Sequence, residues 1–164
     1  MTENNSSATA EMQKTICIKR TFNLPLNSVW KAFTEAESFK KWWGPEEYTC
    51  PDCSIDFRVG GKYLASMQGA DGKKIWSTGT YKEIVPHKKI VTTDSFADSN
   101  GNIVPASDYN MPGEWSEAMV TTEFEEVDGK TNLSLLHAGL PAEISDECIK
   151  GWQSSFDKLE RNIE

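Results

Sequence analysis

At 164 residues, 38% of them hydrophobic, the chain is the size of one domain and long enough to bury a core without disulfide or metal staples. Seventeen basic against 25 acidic residues leave a net charge of −8, and no Lys/Arg cluster supplies the basic face that nucleic acid requires, which excludes nucleic acid as a partner. No run approaches the roughly 18 apolar residues of a membrane span and no signal-peptide core opens the chain, so a cytoplasmic protein without a membrane span is expected.

Residues 1–13 are polar and aperiodic and read as a disordered tail, leaving 14–164 as a single domain. Ile16 and Ile18 alternate with Cys17 and Lys19 in a first strand that ends at Phe22. Pro25 suits a helix start, and Val29, Trp30 and Phe33 then share one side of a short helix. A second short helix is expected from Glu37 to Trp42, stopped by Gly44-Pro45. Cys50 and Cys53 enclose two residues, but zinc needs four ligands and no second such pair exists. They read as ordinary thiols, with no metal.

Ile55 and Phe57 alternate in a strand up to Gly60-Gly61, and Tyr63, Ala65 and Met67 form the next, closed by an Asp71-Gly72 turn. Ile75 through Val85 reads as a curved strand with Gly79 as a bulge or bend, followed by a strand from Ile90 to Phe96. Residues 97–117 are long for a connection; Met111 and Trp115 within them are expected to cover a cavity mouth. Val120, Thr122 and Phe124 then face the same way as Leu133, Leu135 and His137 across an Asp128-Gly129 hairpin.

After Pro141 the period changes. Ile144, Cys148, Trp152, Phe156, Leu159 and Ile163 step by three or four, one apolar stripe on a helix of about 20 residues. Asp146–Lys150 and Asp157–Arg161 are spaced to pair on its outer face, and Gly151 is expected to permit close packing or a bend. The order predicts an α+β fold: a curved antiparallel sheet wrapped around a long C-terminal helix, two short helices near the N-terminus, and a hollow between sheet and helix.

Several ordered motifs sharpen this reading: Pro25-Leu26-Asn27-Ser28-Val29-Trp30, Trp42-Trp43-Gly44-Pro45, and Arg58-Val59-Gly60-Gly61-Lys62-Tyr63. Gly79 to Pro86, Gly129-Lys130-Thr131 and Gly151-Trp152 continue the set. With them the chain resembles the START-like (SRPBCC, helix-grip) superfamily, and within it the heat-shock-protein-90 ATPase activator homologues, over residues 15 to 163. The resemblance implies a hydrophobic small molecule held between sheet and helix. It also implies two alternatives: a stress-related co-chaperone with a chaperone as partner, or a cyclase or hydrolase acting in the same hollow.

The leading expectation is binding of a hydrophobic or aromatic molecule, without catalysis or cofactor. Phe57, Tyr63, Met67, Tyr81, Val120, Phe124, Leu135, Trp152 and Phe156 are the candidate lining, with His137 as polar anchor. His137 is in phase with Leu133 and Leu135, so it should point inward, where an imidazole could also serve as a base. Glu83 and Asp94 can face either way and read as solvated surface.

Overall fold

The alternating segments pair into one seven-stranded antiparallel sheet in a computed structural model that describes residues 13–112 and 117–164. In chain order the elements are β1 (Gln13–Phe22), α1 (Leu26–Thr34), α2 (Ala36–Phe39), β2 (Cys53–Ile55), β3 (Lys62–Gln68), β4 (Lys74–Val85) and β5 (Lys89–Ala97). β6 (Ala118–Val127), β7 (Lys130–Pro141) and α3 (Ser145–Asn162) complete the chain, with short 3-10 turns at Ala106–Tyr109 and Ala142–Ile144. The strand order is β1-β7-β6-β5-β4-β3-β2. Residues 1–12, which carry most of the expected tail, and Trp115 lie outside the described residues.

The register aligns inward-facing side chains in rows across the sheet. Tyr81 lies opposite Thr92, Thr92 opposite Val120, Val120 opposite His137, and His137 opposite Ile16, so one row crosses five strands. Directly opposed residues share a face of the pleat, which puts Tyr81, Val120 and His137 on the surface that α3 covers. α3 docks there through Phe156 and Leu159, both wholly buried, and the Phe156 ring meets Phe22 edge-on at 5.5 Å. α1 and α2 close one end with Val29, Phe33 and Phe39. None of the described helices is long and apolar enough to cross a membrane.

Five local expectations are corrected. The second helix spans Ala36–Phe39, because the N–H groups of Trp42 and Trp43 both turn back to the Phe39 carbonyl and tighten the chain. Phe57 lies past the end of the short strand β2. The β4–β5 register shifts between Tyr81 and Glu83, beyond Gly79, so Gly79 is not the bulge. Asp157 and Arg161 do not pair with each other. Asp157 meets Arg20 of β1 at 2.7 Å and Arg161 meets Glu46 at 2.8 Å, so both brace α3 against other elements. A Cβ on Gly151 would meet only Pro45 Cγ at 3.7 Å, an ordinary contact, so close packing does not require the glycine.

Candidate functional site

Along the N-terminal half of α3, helix and sheet leave between them a cavity of about 710 Å³, within the range that small-molecule sites occupy. The helix contributes Cys148, Gly151, Trp152 and Ser155, and the sheet contributes Met67, Ile75, Ser77, Asp94, Phe96 and His137. Trp43, Gly44 and Pro45 form one end. Ile103, Val104, Pro105, Ala106 and Met111 of the β5–β6 connection form the outer wall. That connection is anchored by Tyr109, whose hydroxyl donates to the Ala97 carbonyl at the end of β5. A smaller void of about 50 Å³ lies beside it and shares Trp43, Asp94 and Trp152 with the large one.

The wall from Trp43 to Tyr48 has no regular structure, and a buried cation holds it. Lys158 of α3, 7% exposed, donates from Nζ to the carbonyls of Gly44 at 3.0 Å and Tyr48 at 2.9 Å. Burial pushes its pKa below the ordinary lysine value, with Glu46 acting the other way. Lys158 thus satisfies carbonyls that no helix or strand pairs.

A polar chain crosses the floor between the two voids. Tyr63 Oη donates to Asp94 Oδ1 at 2.8 Å, and Trp152 Nε1 donates to His137 Nδ1 at 3.1 Å. Because Nδ1 accepts that bond, the neutral imidazole carries its proton on Nε2. Nε2 lies 3.3 Å from Asp94 Oδ2, close enough for an ion pair, yet its N–H points off that oxygen and makes no hydrogen bond. Trp43 Nε1 is likewise buried with no acceptor among the described residues. Burial first, and the Asp94 charge second, push the Tyr63 phenol well above its ordinary pKa.

The candidate lining residues separate into three groups. Met67, His137 and Trp152 line the large cavity; Tyr63, Tyr81, Val120 and Trp152 line the small one. Phe57, Phe124, Leu135 and Phe156 line neither. Phe57 packs edge-on against Trp30 and Tyr81, and Phe124 against Trp30 and Phe33, while Leu135 and Phe156 are core. Asp94 is not solvated surface: its side chain is only 22% exposed and takes the Tyr63 hydrogen bond, because the register puts it beside the inward row. Glu83 is exposed and reaches Lys89 at 3.4 Å. Trp43 and the Ile103–Ala106 part of the wall escaped the periodicity argument, since neither lies in a strand or in more than a single 3-10 turn, whereas Met111, expected at the cavity mouth, does line the cavity. The four cysteines are unbridged, and burial pushes Cys50 up to about 11, Cys53 to about 12 and Cys148 to about 11.

A curved antiparallel sheet gripping a C-terminal helix over an internal hollow defines the helix-grip, START-like class of α+β domain. Within that class the chain belongs to the family described as Activator of Hsp90 ATPase homolog 1-like protein, whose model matches residues 23–164. Among solved structures it is similar to a Chromobacterium violaceum protein, 30% identical over 90% of this chain and 94% of that one, with a TM-score of 0.72. A Nitrosomonas europaea protein (24% identity, 90% and 92% covered, TM-score 0.73) shares the fold. So does the AHSA1 protein of Silicibacter pomeroyi (21%, 90% and 96%, 0.71). No curated protein matches the chain significantly.

Proposed function

We propose that the protein binds a hydrophobic or aromatic small molecule in the cavity between sheet and α3, and performs no chemistry on it. The observation that carries this reading is the cavity itself: about 710 Å³ walled mainly by apolar side chains, with Asp94 and His137 among its few polar ones. Affinity then comes from apolar burial, at about 25 cal/mol per Å², and orientation from the few polar atoms.

The groups that could act chemically are poorly set for it. In its neutral form His137 offers the cavity no free lone pair, since Nδ1 is occupied by Trp152 and Nε2 carries the proton. Burial keeps Cys148 a thiol at neutral pH and therefore a weak nucleophile. The test is a titration of intrinsic tryptophan fluorescence with a panel of aromatic metabolites and lipids, since Trp43 and Trp152 both face the cavity. Saturable quenching or enhancement by one chemical class is the expected result. A flat response across the panel, with stimulation of a chaperone ATPase, would instead support the co-chaperone reading that the family's description carries.

A further inference from the structure

Charge sorts the occupants that the cavity between sheet and α3 can take. Asp94, Glu117 and Glu147 contribute carboxylates to its lining, and among the described residues no lysine or arginine does. Lys158 stands behind the Gly44 wall, spent on backbone carbonyls. The net charge of the whole chain, −8, has the same sign. Glu117 and Glu147 are both exposed, so they extend this field outward from the lining, where it raises the local concentration of cations.

Asp94 carries the negative charge inward. It lines the large cavity and the small void alike, and Trp43 and Trp152 are the other residues that both share. Asp94 Oδ1 takes the Tyr63 hydroxyl at 2.8 Å. Oδ2 accepts no hydrogen bond among the described residues and keeps accessible surface, on a side chain that is 22% exposed. An open carboxylate oxygen among apolar walls calls for a donor, and a charged donor makes the stronger bond. The two indoles suit the same guest. Trp43 Nε1 is buried and Trp152 Nε1 is bonded to His137, so both rings offer the cavity carbon surface rather than an N–H. Aromatic rings attract cations, whereas an anionic head here would meet Asp94 with no cation to offset the repulsion.

We propose that the occupant is a cationic amphiphile, an apolar or aromatic body carrying a protonated amine, with its ammonium received by Asp94 Oδ2 beside Trp43 and Trp152. The inference rests on the cavity-binding reading and adds the class of ligand.

A matched series separates the two. Octylammonium, octanol and octanoate share one chain length and are titrated calorimetrically into the whole protein at about pH 8, where amine and acid are both ionised. Octylammonium is expected to bind at one site, at least about tenfold tighter than octanol, with octanoate weakest. Excess octanol should displace it, which an ammonium held only by the acidic outer surface would not allow. Asp94→Asn is expected to bring octylammonium to within about threefold of octanol. Octanol or octanoate binding as tightly as octylammonium overturns the inference and leaves cavity binding standing. So does octylammonium that octanol cannot displace, or an undiminished preference in Asp94→Asn. Failure of every member to bind overturns the cavity reading and this inference with it. Should Asp94→Asn not fold, the series and the displacement on the native chain decide alone.

Discussion

A Cβ added at Gly79 would overlap the Thr93 carbonyl oxygen and sit 2.7 Å from Tyr63 Cε1, so β5 and the ring that reaches Asp94 together fill the space a side chain needs. Gly79→Ala is therefore expected to cost about 2–3 kcal/mol, at the upper end of overpacking effects, and to pull Tyr63 off Asp94. An unchanged denaturation midpoint would count against this account. A glycine inside a strand pattern announces that something is unusual there, but not whether it is a bulge or a crossing ring. Tyr81 gives a second single-residue prediction. Burial raises its folded pKa above the unfolded value near 10, so the native state keeps a proton that the unfolded state releases. Its contribution is fully present below about pH 10 and is lost as the pH rises further. Tyr81→Phe should unfold less readily than the native chain in alkali, and equally readily at neutral pH, by thermal melts across the two conditions.

α3 was the element most legible in the sequence, because its apolar stripe repeats over many turns and needs no partner to be recognised. Its ion pairs were not legible. Spacing puts Asp157 and Arg161 one turn apart, but Arg20 and Glu46 come from chain segments far away in sequence, and only the folded chain brings them within ion-pair distance of those two side chains. The same limit hid Lys158, which lies off the apolar stripe and braces the 43–48 wall. Lys158→Met is expected to destabilise the fold by about 1–3 kcal/mol, because the Gly44 and Tyr48 carbonyls lose their donor, and to weaken cavity binding as that wall loosens. Equal stability together with equal ligand affinity would show that the wall holds itself. Gly151→Ala should act oppositely. Its methyl faces the cavity beside Pro45 without a clash, so the helix gains roughly 0.5–1 kcal/mol and the melting temperature rises.

The molecule as a whole is densely packed on one side and hollow on the other. Rows of strand residues, α1, α2 and the C-terminal half of α3 meet in a continuous aromatic and aliphatic core around Phe22, Trp42, Phe156 and Leu159. The opposite half, from the start of α3 to the β5–β6 connection, encloses space instead. The sequence pattern carried the dense half, since alternation and helical periodicity both report burial against protein. A face turned to an empty volume leaves no such period, which is why Ile103 to Ala106 and Asp94 were not recognised as site residues, while Met111 was reached only through the length of its loop. This asymmetry predicts how a ligand should act. Binding to the native state alone stabilises by about 2.7 kcal/mol at a hundredfold excess over Kd, which for a chain of this size raises the melting temperature by about 5–10 °C. Amides that exchange by local opening should gain protection within 103–111, in the first half of α3 and in the 43–48 wall. Locally exchanging amides of β1 and of the β6–β7 hairpin turn should not. Protection confined to the outer sheet face would place the ligand elsewhere, because only the hollow half has surface still to be buried.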